Sequence, residues 1–338
     1  MSWQMEISTF KDLGKGDNNR AQIREDPARV RMQVPALILA CALAGTALAE
    51  GPVQSGKRGD LGIRYWLSSG ETKTSHNAQP LDPTLGNPTS VLLYESLDAN
   101  LLELFGRRDF HGRWFLKGIL GVGRVNGGSF DDEDFNAGQV KFSDTTSSVN
   151  QGRIGYGVLD LGWNVWVLGE GRTTIGAFVG YSQWTEKVDA YGATDHLGFI
   201  GGDIPPDVKV VTNKVAWKSL RIGLAADVRL AERSRLALDV ALIPYSKVRN
   251  EDSHHLRNDF GPVPNILLEG DGRGVQLDAE LSYEIRRRTE LGIGVRYWYI
   301  EATEGTRSLP NRPDVPNLPI VELYSMRTGV TLTLRRLW

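Results

Sequence analysis

Apolar and polar residues alternate one for one through ten separate stretches of the chain, which is the pattern of a β-strand with two different faces. The longest run sets Val275, Leu277, Ala279, Leu281, Tyr283 and Ile285 on one side and Gln276, Asp278, Glu280, Ser282, Glu284 and Arg286 on the other. Next, Leu291, Ile293, Val295, Tyr297 and Tyr299 share a face opposite Arg296. Leu220, Ile222, Leu224, Ala226, Val228 and Leu230 oppose Ser219, Arg221 and Asp227, and Leu236, Leu238, Val240 and Leu242 oppose Asp239. A buried sandwich strand would crowd too many of these charges into its core. A barrel with lipid outside and a polar lumen accepts them.

The alternation predicts strands at 60–69, 96–108, 112–125, 153–168, 172–187, 213–230, 234–248, 273–287, 290–303 and 320–338. Tight turns follow the even strands, at Asp109-Phe110-His111, Gly169-Glu170-Gly171, Ala231-Glu232-Arg233 and Arg288-Thr289. Long polar segments follow the odd strands, at 70–95, 126–152, 188–212, 249–272 and 304–319. An even strand number, short turns at one end and long loops at the other predict an all-β fold: a ten-stranded antiparallel transmembrane β-barrel, with short periplasmic turns and five long outer loops. The last strand ends on an aromatic residue, Trp338, as expected at a membrane edge.

One continuous apolar run, Val34 to Ala49, breaks the alternating regime. Arg24, Arg29 and Arg31 precede it and Ala47-Leu48-Ala49 closes it, the order of a secretory signal. The expected division is therefore a signal peptide over 1–49, with an over-long basic leader in which Met32 is an alternative start, and a barrel over 50–338. Ile38-Leu39-Ala40-Cys41 loosely resembles a lipoprotein cleavage box, a weaker reading of the same run. Cleavage after Ala49 would remove the single Cys, leaving a fold closed without disulfides.

Composition fits. The 38 Gly and 29 aromatic residues (nine Trp, ten Tyr, ten Phe) give no sign of disorder, and a formal charge of -2 supplies no global field to recruit nucleic acid. A mean hydropathy of -0.28 looks soluble only because alternation averages the membrane-facing residues out. Ten strands leave little lumen beyond side chains. Lys117, Asp160, Arg221, Asp227, Asp239, Asp278, Glu280, Glu284 and Arg296 would pair across it, so chemistry is expected in the loops and strand tips.

Two of those segments carry candidate chemistry. The second loop contains Asp131-Asp132-Glu133-Asp134-Phe135, and the fourth contains Asn250-Glu251-Asp252-Ser253-His254-His255. Residues two apart on an extended tip share a side, so Asp132 pairs with Asp134 and Asp252 with His254. Each alone reads equally well as solvated surface, or for the acidic run as a weak Ca²⁺ site. A carboxylate can hold an imidazole that takes a proton from water, and of two close carboxylates one retains a proton near neutrality. No His-Glu-x-x-His helix, Cys/His cluster or Gly-x-Ser-x-Gly elbow offers another hydrolytic centre.

Together these features resemble the omptin family, ten-stranded outer-membrane endopeptidases. Asp132-Glu133-Asp134-Phe135 matches its Asp-x-Asp-aromatic motif and Asp252-Ser253-His254 its Asp-x-His motif, while Ser69-Gly70-Glu71-Thr72-Lys73 is similar to its first strand. The resemblance implies catalytic roles for Asp132, Asp134, Asp252 and His254, facing one another across the barrel mouth with a water between them. His254 is then the base, Asp252 orients it, and Asp132 with Asp134 positions the water and stabilises the oxyanion. His255 should point away. Polypeptides at the cell surface are the implied substrates, and the chain is expected to face the exterior with its loops. No cofactor is expected beyond the lipopolysaccharide that the family needs on the outer barrel wall, for which no basic patch can be matched residue by residue. The oligomeric state is left open. Omptins favour cleavage beside basic residues through an acidic pocket, but the corresponding residues here are the neutral Thr74 and Asn250. A non-catalytic barrel acting as adhesin, receptor or structural protein, or a narrow channel, are the competing readings.

Overall fold

The computed structural model describes residues 59–110 and 113–338. The expected signal segment at 1–49 lies outside the described residues. Ten antiparallel strands form a closed ring in which each pairs with its sequence neighbours: β1 (Gly59–His76), β2 (Ser90–Asp109), β3 (Trp114–Asn136), β4 (Val140–Leu168), β5 (Thr173–Asp195), β6 (Ile204–Arg229), β7 (Ser234–His254), β8 (Ile266–Arg286), β9 (Thr289–Ser308) and β10 (Leu318–Leu337). The pairing of Asp60 with Leu337 through to His76 with Ile320 joins first strand to last. No sheet edge remains, so the backbone can cross lipid with every ladder satisfied.

The alternation seen in the sequence becomes a two-sided wall. Leu61, Ile63 and Leu67 on β1, Leu102 and Leu104 on β2, Leu120 and Val122 on β3, Leu220, Ile222 and Leu224 on β6, and Leu291, Ile293 and Val295 on β9 all stand exposed on the outside. In a soluble protein so broad an apolar surface would aggregate; on a transmembrane barrel it is the lipid-facing band. Below this band lie the tight turns, such as the one carrying Glu170 at φ 58 between Gly169 and Gly171. Trp338 ends the chain at this lower end, where its backbone N–H donates to the Gly59 carbonyl at 3.0 Å.

Inside the band the lumen is filled. Lys117 bridges Asp160 (3.2 Å) and Asp239, and Arg221 lies 3.6 Å and 3.5 Å from the same two carboxylates. Arg296 is clasped by Glu103 and Asp278, and Arg64 joins Glu103 (2.9 Å) to Glu280 (3.3 Å). Asp227 pairs with Arg235 at 2.7 Å, and Glu284 accepts from the Arg288 backbone N–H at 2.7 Å beside the last tight turn. All nine charges expected to point inward do so. Trp66, Tyr156, Trp184 and Trp298 cap this network in edge-to-face contacts, with centroids 5.0 to 6.2 Å apart.

The strands differ from expectation in length. They run far above the apolar band, so most of the five segments expected as long loops are continued strand. The true connections shrink to 77–89, 137–139, 196–203, 255–265 and 309–317. Above the band the outer face meets water instead of lipid. Both faces can then be polar, and the backbone ladder continues where the hydrophobic alternation stops.

Candidate active site

The upper barrel forms a mouth whose floor is aromatic. Tyr94 on β2 pairs in register with Phe130 on β3, and their rings stack with centroids 4.4 Å apart. Both are buried, as are Trp217 on β6, whose indole N–H donates to Ser325 at 3.1 Å, and Thr72 on β1, 3.1 Å from the same hydroxyl. Tyr94 reaches across the ring: its hydroxyl lies 3.5 Å from Oδ1 of Asp252 on β7, five strands away around the barrel.

Asp252 and His254 sit at the tip of β7. Val211 and Asn213 oppose them on β6, and Ile266 opposes Asp252 on β8. Asp252 is almost wholly buried, and its Oδ2 accepts from His254 Nε2 at 3.2 Å. With Nε2–H spent on that bond, Nδ1 is the ring nitrogen with an open lone pair. Asn265 fixes the histidine's backbone from both sides: its Oδ1 accepts from the His254 N–H at 2.9 Å and its Nδ2 donates to the His254 carbonyl at 3.0 Å. Phe260 packs edge-on against the imidazole, centroids 6.5 Å apart. His255 faces the other way, 3.0 Å from the Thr212 hydroxyl.

Asp132 and Asp134 lie on β3, four strands round from β7, opposite Leu92 and Ser90 on β2. They are strand residues, where the sequence suggested a loop. Glu133 between them points to the other side and pairs with Lys141. The four expected residues act on one another electrostatically. Burial, reinforced by the neighbouring Asp134 charge and opposed by His254, pushes the Asp132 carboxyl up to about 7. Burial disfavours the imidazolium of His254, but the charge and hydrogen bond of Asp252 outweigh it, with help from Asp132, and leave the ring's pKa above its ordinary value. A carboxyl raised to about 7 thus faces an imidazole raised above its ordinary value, an acid and a base for proton transfer.

Two further residues escaped sequence reading. Asn265 is one. The other is Arg307 on β9, whose charge is felt by His254 and which itself feels Asp252, Asp134 and Asp132. No motif marks either. Thr74 and Asn250 are both buried; Asn250 accepts from the Asn213 amide at 3.0 Å. Among the described residues no group of three or more His, Cys, Asp or Glu is arranged to hold a metal ion.

A sequence model described as the omptin family matches residues 118–313, which contain all four of these acid and base residues. Among solved structures, the chain is similar to the outer membrane protease OmpT of Escherichia coli at 15% identity, over 86% of this chain and 99% of that one, with a TM-score of 0.66. It also matches the transport unit of the autotransporter AIDA-I of Escherichia coli at 9% identity, over 89% of this chain and 97% of that one, with a TM-score of 0.38. The outer membrane protein OprG of Pseudomonas aeruginosa matches at 10% identity, over 83% and 99%, with a TM-score of 0.31. No curated protein matches the sequence.

Proposed function

Because this chain belongs to the omptin family of outer-membrane barrels, we propose that it is an endopeptidase that hydrolyses polypeptides at the cell surface with a water held between Asp132–Asp134 and Asp252–His254. Export by a signal segment cleaved after Ala49 belongs to the same proposal, as does an outward-facing mouth. The observation that carries it is the mutual influence of Asp132 and His254 from opposite walls of one mouth, with a carboxylate at hydrogen-bond distance behind the imidazole.

In the proposed step, water loses a proton to His254 Nδ1 as its oxygen attacks the scissile carbonyl carbon. Asp252 stabilises the imidazolium that forms. The carboxyl of Asp132, which keeps its proton to about pH 7, donates a hydrogen bond to the carbonyl oxygen as negative charge develops there. The C–N bond then breaks, and the departing amine takes the proton from His254. Nothing in this scheme needs a resident cofactor.

The test is cleavage of internally quenched peptides by the refolded full-length protein across pH. His254 must be neutral to act and Asp132 protonated, so the rate rises as the imidazolium is lost and falls as the Asp132 proton is lost. The alkaline limb lies near pH 7, and the two limbs belong to the cluster as a whole. The expected profile is a narrow bell, dropping about tenfold per pH unit on each flank. Asp134→Asn removes the like charge that raises Asp132, so the alkaline limb should move to lower pH. A flat profile, or an alkaline limb unmoved in this variant, would remove Asp132 from the mechanism.

The lipid partner has a candidate surface too. Arg124, Arg153, Lys187 and Lys214 occupy a single cross-strand row on β3 to β6, each directly opposite the next. All four point outward and exposed, Arg124 just two residues above the lipid-facing Val122. Like charges directly opposite one another destabilise a sheet, so a row of them at the upper edge of the band suits phosphate groups. We assign it to the anionic headgroups of lipopolysaccharide. Arg153→Glu with Lys187→Glu should raise the lipopolysaccharide concentration needed for half-maximal activity by about tenfold or more. An unchanged requirement would count against the row.

A further inference from the structure

Two buried or inward-facing donors at the mouth lack an acceptor among the described residues. Asn250 on β7, Leu268 on β8, Arg307 on β9 and Leu318 on β10 lie in one cross-strand row. Asn250, Leu268 and Leu318 are all buried, so the row faces the lumen and carries the Arg307 side chain with it. Asn250 spends its Oδ1 on the Asn213 amide, and its own Nδ2 is buried with no hydrogen-bond partner among the described residues. Arg307 sits between two leucines, and among the described residues no carboxylate comes within ion-pair distance of its guanidinium. Burial is the main cause that pulls its pKa down to about 10. A second cation, Arg257, stands near enough to act on Arg307 and Asp132. An orphaned amide donor is costly to bury, and a guanidinium fork is shaped for two acceptor oxygens. The two positions are two strands apart, roughly 10 Å between backbones, a span that Arg and Asn side chains can converge across.

We propose that Arg307 and Asn250 form a subsite for a carboxylate of the substrate, so that this protein cuts beside acidic residues and not beside basic ones. The inference rests on the endopeptidase reading above, and it deepens that reading by naming the substrate class. With Thr74 and Asn250 both uncharged, no carboxylate in these positions attracts Lys or Arg. The carboxylate could come from an Asp or Glu side chain or from a free peptide C-terminus, and both present the same two oxygens.

The test uses quenched peptides that differ at one residue beside the scissile bond, Glu against Gln, Asp against Asn, and Lys, each made with a free or an amidated C-terminus. The folded protein should cleave Glu over Gln with kcat/KM higher by about tenfold or more, and the preference should fall as salt is raised. Arg307→Glu should reverse the order in favour of Lys, while Arg307→Lys keeps a reduced preference for Glu. A preference that follows the free C-terminus and not the side chain assigns the subsite to terminal carboxylates. Equal rates for Glu and Gln, or a ratio unmoved in Arg307→Glu, overturn the proposal. Peptide affinities measured by calorimetry separate the two readings: if no peptide is cut yet Glu still binds over Gln through Arg307, the subsite stands and the protease reading falls. If affinity ignores the Glu/Gln exchange, the subsite falls whatever is cut. Retention of the heat-dependent gel shift of a folded barrel shows that each variant has assembled.

Discussion

Exchanging Asp132 for Ala should lower peptide cleavage by about 10³-fold while the barrel assembles normally, and His254→Ala should do at least as much. Asp132 lies on a strand tip, ten residues above the exposed Val122, roughly 30 Å along the strand at ~3.3 Å per residue. It makes no salt bridge among the described residues, so its loss should spare the wall. Its carboxyl is held protonated to about pH 7 by burial and by Asp134. Removing it takes away the donor aimed at the developing oxyanion. His254→Ala removes the imidazole that the buried carboxylate of Asp252 is bonded to. The two losses should not multiply: once either partner is gone the other has no step to complete, and the double variant should fall close to the worse single one. Asp132→Asn separates shape from protonation, since the amide can donate a hydrogen bond but cannot titrate. It should keep more activity than Asp132→Ala and lose the alkaline limb of the pH profile. Full cleavage by both alanine variants would leave a folded barrel with no assigned chemistry and would favour the receptor or adhesin reading.

The legible part of the sequence is the part in contact with lipid. Leu291, Ile293 and Val295 must face hydrocarbon while Arg296 faces the lumen, so the period of two is written in opposite polarities. Above the band that contrast vanishes. Residues 126–136 alternate between a wet outside and a partly wet mouth, and the strand there is held by its ladder to β2 and β4, which no single segment reveals. This is why Asp132 and Asp134 read as loop residues although their sidedness was right: period-two spacing fixes the shared face whether or not the stretch is recognised as strand.

The site divides the same way. Asp252 and His254 are two apart on one strand, so their pairing is local and visible. Asn265, Arg307 and the row Arg124–Arg153–Lys187–Lys214 are assembled only by register between strands far apart in sequence. In a barrel each strand tip is one short polar string among ten, and nothing within a string says which neighbour it will face. The departures at Thr74 and Asn250 were readable as missing charges. That a positive charge, Arg307 on β9, stands in the same cross-strand row as Asn250 was not.

The deepest loss of stability should come from Arg296→Met. This guanidinium is fully buried and bridges Glu103 and Asp278, with the Trp66 and Trp298 rings each 4.6 Å from it and the Tyr156 hydroxyl at 3.4 Å. Met replaces the aliphatic stem and should keep apolar contact beside both indoles. What it removes is the charge that two carboxylates share, leaving Glu103 with Arg64 and the Tyr156 hydroxyl, and Asp278 with only the Trp298 N–H at 3.3 Å among the described residues. Breaking a buried pair from one side costs about 3–5 kcal/mol, because the partner's desolvation remains uncompensated. Glu103→Ala should cost less than Arg296→Met: Arg296 keeps Asp278, and Arg64 keeps Glu280 at 3.3 Å. Replacing both, as Arg296→Met with Glu103→Leu, should recover part of the loss, since it deletes a positive and a negative charge together. Denaturant unfolding of the refolded barrels in lipid gives the order directly. If the double variant were as unstable as Arg296→Met or worse, the network would owe its strength to shape and aromatic contact and not to charge balance. The mouth would then stand on a packed aromatic plug, not on an ionic one.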